Sequence, residues 1–410
     1  MKIFQSFLCS VLVSVLTVQM GYAQAHYSCD GNRYLNALNG QVSVVSAVKF
    51  GEGTTVGGNN KELFLDVYSL KDDTTQRKPL IIIAFGGSFV SGNRTQLGPL
   101  CTILAQRGYV VASIDYRLYD LPLEPPPSTA QMLDEVVKAM LDVQAATGFL
   151  YDDAVNANTY EIDTNWIIVG GISSGAIATM NFAMLDKSDA IGPGLQAALD
   201  ANLPLKGITN DNHRTPIAAV LNFSGAMKNA EHIDVNDPPV ISFHDDGDEI
   251  VPYGRDNIFL NGHKIVLLDG SYMIDSVAKS VGVHTELHTT ENSTGHVSYF
   301  TSPISVFEVL GKTCEFMYEL ICDDVLSTQN VVQDLITIYP IPAVSMLHIS
   351  GANRAIQSIR VLDIAGKNVW SGAYANKTEI DIDIRLLQSG FYTVIVQSEG
   401  TLYVERFVKK

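Results

Sequence analysis

Ser173 stands between two glycines in Gly171-Ile172-Ser173-Ser174-Gly175, where the apolar run "WIIVG" gives way to the helix-compatible "SGAIATMNFAML". A hydroxyl becomes a usable nucleophile when a sharp turn lifts it clear of its neighbours, and small residues two positions away on either side permit that turn. A helix beginning directly behind it aims main-chain N–H groups at the place where negative charge would develop. Upstream, "LIIIAFGGSFVSG" runs an apolar strand into Gly86-Gly87-Ser88, a small-residue loop whose backbone can approach a substrate carbonyl. Downstream, "PPVISFHDDGDEIVPYG" leads a strand into a loop bearing Asp245, Asp246 and Asp248, and "TENSTGHVSYF" presents His296 after the strand-like "HTELHTT". Ser173, Asp248 and His296 therefore occur in the order nucleophile, acid, base, each after an expected strand. The imidazole would take the hydroxyl proton and return it to a leaving group, while the carboxylate fixes its tautomer. Each piece also has a plainer reading: a glycine-rich turn with a capping serine, an ordinary strand-to-helix turn, surface polar residues. Their order and context favour the chemistry, which needs no cofactor.

The elements that must position these residues alternate. "LFLDVYSL", "LIIIA", "VVASIDY", "WIIVG", "AAVLNF" and "VISFH" read as strands, several of them apolar throughout. Between them, "QMLDEVVKAMLDVQAA" has apolar residues at 132, 133, 136, 137, 140 and 141, one face of a helix, with Ser128 or Thr129 as its start signal. "FEVLGKTCEFMYELI" reads as a last helix. Strands and helices in alternation predict an α/β fold with a mostly parallel sheet covered on both faces. After Cys322 the character changes. Residues 325–334 are polar enough for a linker, and residues 335–410 contain short alternating strands with Gly-containing turns, the pattern of a small all-β sandwich.

Residues 45–320 resemble the α/β-hydrolase superfamily, particularly its carboxylesterase and lipase members. "FGGSFVSG" is similar to the oxyanion loop written H/Y-G-G-G-F, with Phe85 and Ser88 at the first and last of its first four positions. The resemblance implies that the N–H groups of Gly87, Ser88 and Ser174 form an oxyanion hole. It also implies that this loop must be ordered by packing, because Phe85 cannot donate the side-chain hydrogen bonds usual at its position. "FHDDGDEIVP" is similar to H-G-x-x-D-x-x-V-P, which selects Asp248 over Asp245 and Asp246 as the acid. By the same likeness Asp115, Arg117 and His244 are structural. Residues 335–410, with Tyr339-Pro340-Ile341-Pro342 where Y-P-N-P is usual, resemble C-terminal sorting domains of type IX secretion; the alternative is an appended carbohydrate-binding sandwich. This implies contact with secretion machinery, and release or cell-surface attachment.

At 410 residues, 46% hydrophobic and 17% charged, the chain can bury a large core. A net charge of −17 argues against nucleic acid as partner. Residues 1–25 read as a signal peptide: Met1-Lys2, an apolar run, then "GYAQA". The expected organisation is thus a signal at 1–25, a hydrolase domain at 26–324, a linker at 325–334 and the sandwich at 335–410, with export through the periplasm of a Gram-negative cell. Removing the signal leaves Cys29, Cys101, Cys314 and Cys322, which permit three pairings. Of these, Cys29–Cys101 with Cys314–Cys322 is the pairing expected. His284 and His288 would share a strand face, but no third ligand is evident and no metal is expected.

The function expected is a secreted serine esterase that cleaves carboxylic esters through an acyl-enzyme intermediate. Alternatives are a polymer-directed esterase, acting on acetylated or feruloylated polysaccharide or on polyester, and a non-catalytic surface protein on the same fold. Residues 186–214, after the helix that follows Ser173, are the expected partial cap over the pocket.

Overall fold

The computed structural model describes residues 29–186, 189–202, 215–260, 262–327, 337–340, 342–350, 355–363, 367–398 and 401–410. The expected signal peptide and most of the expected linker lie outside them. The chain divides into two compact units, the first running to Ile321 and the second from Cys322 to Lys410.

The first unit opens with β1 (Val42–Thr54) and β2 (Asn60–Leu70), then β3 (Lys78–Ala84), α1 (Gly98–Ala105), β4 (Val110–Ile114), α2 (Thr129–Val155) and β5 (Ile162–Ile172). It continues through α3 (Ser174–Met184), α4 (Pro193–Asn202), β6 (Ala219–Phe223), β7 (Ala226–Met227), β8 (Val240–Asp245), β9 (Arg255–Leu260) and β10 (His263–Gly270). The series ends with α5 (Ser271–Val281), β11 (Thr285–Thr290) and α6 (Pro303–Ser327). Eight strands form one sheet in the order β1-β2-β4-β3-β5-β6-β8-β11. From β4 to β11 every pairing is parallel, while β1 and β2 add an antiparallel edge. The inner parallel strands are the most deeply buried, as helices covering both faces require: every residue of β3, β4, β6 and β8 is buried, whereas the edge strand β11 is only half-buried.

Register decides where the chemistry can sit. Ala84 pairs with Gly171, Ile172 with Phe223, Phe223 with Phe243, and Asp245 with Thr290. The chain therefore leaves β3, β5, β8 and β11 at one edge of the sheet, and the four loops that follow start side by side.

Helix α2 starts where the sequence signals it. Ser128 is its N-cap: its hydroxyl accepts the Gln131 N–H at 3.3 Å, and its own N–H donates to Gln131 Oε1 at 2.9 Å. Arg117, 2% exposed, ties the end of β4 to this helix through Asp142 Oδ1 at 2.7 Å and the Lys138 carbonyl at 3.0 Å. Asp115 accepts from the Arg94 guanidinium at 2.8 Å, so both residues hold structure, as the family likeness implied. α6 continues to Ser327, beyond 324, and its helix occupies the start of the stretch expected as linker.

The second unit contains β12 (Thr337–Tyr339), β13 (Met346–Ser350), β14 (Ile356–Leu362), β15 (Asn368–Lys377), β16 (Glu379–Asp383), β17 (Gly390–Ser398) and β18 (Thr401–Lys409). They form two antiparallel sheets, β12-β13-β16 and β15-β14-β17-β18. Alternation is strict in β16, where Ile380 and Ile382 are buried between exposed acidic residues. Those isoleucines share a core with Leu347, Val361, Val394 and Phe407.

Neither expected cysteine pairing forms. Cys29 and Cys322 are the described cysteines in disulfide linkage, whereas Cys101 and Cys314 are free. The free thiols lie on inward faces of α1 and α6, both 0% exposed, and pack as small apolar side chains.

Candidate active site

Ser173 occupies the single residue between β5 and α3, with φ 55° and ψ −120°. A serine there is strained, and the neighbouring glycines make the turn possible. A Cβ on Gly171 would come within 2.3 Å of the Gly175 carbonyl carbon, and one on Gly175 within 2.3 Å of the Ala84 oxygen. The Ser173 N–H donates to the Phe223 carbonyl at 2.8 Å, which fixes the turn to β6.

His296, in the loop after β11, brings Nε2 to 2.8 Å from Ser173 Oγ and Nδ1 to 2.6 Å from Asp248 Oδ2. Asp248 lies in the loop after β8, its side chain fully enclosed. Oδ1 accepts the Ile250 and Val251 N–H groups at 2.8 and 3.0 Å. Burial alone would raise this carboxyl, but hydrogen bonds from His244 and His296 outweigh it and hold Asp248 well below the usual carboxylate range. An anion thus faces Nδ1, which keeps its proton and leaves Nε2 free to accept from the serine hydroxyl. His244 Nε2 faces the Val251 carbonyl at 3.0 Å and Asp248 at 3.4 Å, so it donates there and Nδ1 accepts from the Ser271 hydroxyl at 2.7 Å.

The two neighbouring carboxylates point elsewhere. Asp245 accepts from Ser298, and Asp246 from the N–H groups of Asn292 and Ser293 at 2.9 and 3.0 Å. Both grip the loop that carries His296; neither reaches its ring.

The loop after β3 crosses close to the serine: a Cβ on Gly86 would lie 3.2 Å from Ser173 Cβ. Gly87 has φ 143°, and a Cβ there would sit 2.0 Å from the Ser91 oxygen. Ser88 and Phe89 follow at φ 55° and 62°. Phe85 is ordered by packing, stacked on Tyr116 with ring centroids 4.3 Å apart. The Tyr116 hydroxyl donates to the Phe85 carbonyl at 2.8 Å and accepts from the Ser174 hydroxyl at 3.1 Å. This chain of hydrogen bonds ties the β3 loop to the first residue of α3. As first residue, Ser174 has an N–H without a partner inside the helix. Ser88, Ser173 and Ser174 line one cleft together.

That cleft is open on one side and is walled by α2 and by the β9–β10 hairpin. The hairpin pairs with β7 as a separate three-stranded sheet. It is absent from the sequence reading, although Asn261-Gly262 between "DNIFL" and "HKIVLL" is a strong hairpin signal. Of the expected cap, α4 contributes Leu195, while residues 187–188 and 203–214 lie outside the described residues.

His284 and His288 have structural surroundings. His288 stacks on Phe243 at 4.8 Å and meets Glu286 at 3.1 Å, and His284 stands edge-on to Phe316.

Residues 65–229 match the family model BD-FAE, and residues 337–410 match that of the secretion system C-terminal sorting domain. Esterase LipC of Mycobacterium tuberculosis is 31% identical over 119 residues, 29% of this chain and 26% of that protein. The chain thus matches about a quarter of that relative's length. Among solved structures, the native thermophilic esterase from the planctomycete Thermogutta terrifontis is 18% identical, covering 72% of this chain and 97% of the other, with a TM-score of 0.48. Its propionate-bound form is 19% identical, with coverages of 70% and 97% and a TM-score of 0.48.

Proposed function

For a chain that carries an esterase-like α/β-hydrolase domain and a C-terminal type IX secretion sorting domain, we propose the activity of an exported serine esterase. The observation that carries this reading is the continuous path Asp248–His296–Ser173, with links of 2.6 and 2.8 Å. Ser173 Oγ attacks the ester carbonyl carbon as its proton passes to His296 Nε2. The carbonyl π-bond pair moves to oxygen, and the N–H groups of Ser174 and Ser88, with Gly87 beside them, are the donors assigned to that oxyanion. Collapse breaks the bond to the alkoxide, which leaves as the alcohol with the proton from His296. Water then repeats the sequence: it adds to the acyl-serine, loses a proton to His296, and the carboxylic acid departs as Ser173 regains its hydrogen. Asp248 holds the tautomer throughout and stabilises the imidazolium.

Recognition of the tail by secretion machinery, after passage through the periplasm, is the proposed route to the cell surface or medium. The test is a fluorophosphonate probe with p-nitrophenyl ester hydrolysis. Wild-type protein should label at Ser173 and turn over; Ser173→Ala should do neither while keeping its melting temperature. Folded wild-type protein that takes no label would favour a binding protein instead.

A further inference from the structure

Ester hydrolysis leaves open what is esterified, and the cleft beside Ser173 bears on that. We infer that the group it holds is an uncharged, extended apolar chain of medium length; this rests on the esterase reading above. One wall presents Met132, Val136 and Met140 from successive turns of α2, and the other presents Ile258, Phe259 and Val266 from the β9–β10 hairpin. From Met132 to Met140 the wall runs about 12 Å at a rise of about 1.5 Å per residue, the reach of a chain of roughly eight to ten carbons with bonds of about 1.5 Å. Ile250 and Phe259, 49% and 55% exposed, carry the apolar lining out to the mouth.

Polar groups in the lining separate into two sets. Ser88, Ser173 and Ser174 stand at the reacting end. Away from it are Asn181, whose amide is engaged, and Lys228, whose ammonium spends one of its three hydrogens on the hairpin. Asn181 Nδ2 donates to the Ile177 carbonyl at 2.8 Å, and its Oδ1 accepts the Lys228 N–H at 3.3 Å. Lys228 Nζ donates to the Leu267 carbonyl at 3.2 Å. A sugar ring in this space would bring several hydroxyls against carbon, each giving up its water without a replacement. A methylene chain loses nothing there and gains from leaving water.

The experiment measures kcat/KM for p-nitrophenyl acetate, butyrate and octanoate, for a matching series of alkyl acetates, for acetylated xylan and for a p-nitrophenyl ester ending in a free carboxylate. The expected result is a gain of about twofold to fourfold per added methylene in the series whose chain enters the cleft. Val136→Asp should cut the octanoate-to-acetate ratio by about tenfold or more, and Val136→Leu should keep it. Flat or falling chain-length dependence in both series overturns the inference and leaves the esterase reading standing. So does faster turnover of acetylated xylan, or a carboxylate-ended ester preferred through Lys228. Loss of all hydrolysis together with absent labelling of Ser173 removes the esterase reading and this inference with it.

Discussion

Asp245 holds Ser298, two residues beyond His296, accepting both its main-chain N–H at 3.0 Å and its hydroxyl. Asp245 is 0% exposed, so this is a buried anchor for one end of the histidine loop, and Asp246 secures the other end through Asn292 and Ser293. The carboxylates around Asp248 thus set the position of the ring that Asp248 polarises.

Substitutions at the three aspartates should therefore rank. Asp248→Asn removes the charge facing Nδ1 and should lower kcat by about 10³- to 10⁴-fold. Asp245→Asn should lower it by about tenfold, with KM little changed, because it loosens the ring without altering its tautomer. Asp246→Asn, at the surface, should be milder still. Steady-state kinetics of the three variants decide the matter, and a reversed order would overturn Asp248 as the acid.

Tyr116 joins the two halves of the proposed oxyanion hole. Tyr116→Phe retains the stack on Phe85 but removes the hydroxyl between Ser174 and the Phe85 carbonyl. The expected result is a fall in kcat of about tenfold with KM preserved, smaller than loss of a direct donor would give. A rise in KM alone would mean that the hydroxyl serves binding instead.

Glu135 on α2 is 0% exposed, and neither carboxylate oxygen has a hydrogen-bond partner. Burial pushes its carboxyl up to about 8, with Asp142 adding repulsion while Arg117 and Lys138 pull the other way. A carboxyl whose folded value lies above its unfolded value contributes stability that is complete below the unfolded value of 4.5 and is lost as pH rises through about 8. Glu135→Gln should therefore raise the melting temperature more at alkaline pH than at acidic pH. Thermal denaturation across that range gives the answer, and a pH-independent difference would contradict it.

Burial pushes the thiols of Cys101 and Cys314 up to about 12. Native protein lacking residues 1–25 should resist a thiol reagent at mildly alkaline pH. The same protein denatured without reductant should release two reactive thiols. A count of zero would restore cystine bonding at these positions.

The convergence of Ser173, Asp248 and His296 was legible because a parallel sheet delivers every loop after its strands to one edge, and apolar strands announce themselves. The β9–β10 hairpin was harder to read. Its strands mix charged, polar and apolar residues, and among the described apolar side chains only Ile265 and Leu268 are buried while Phe259 is half exposed, too few to mark a continuous stripe. The cysteine linkage was illegible for another reason: partners are set by tertiary distance, and spacing along the chain carries no record of it. Phe85 was partly legible, since an aromatic in place of a polar residue foretold packing without naming Tyr116.

The hairpin that walls the cleft lies between β8 and α5 in the chain, outside the sheet that aligns Ser173, Asp248 and His296. Chain drift there can widen, narrow or grease the entrance while leaving the proton path untouched. Relatives of this scaffold can thus change what the cleft admits by altering the hairpin ahead of Asp269 and Gly270, where a Cβ on Gly270 would meet the Pro252 carbonyl at 1.7 Å, while the contacts among Ser173, His296 and Asp248 stay as they are.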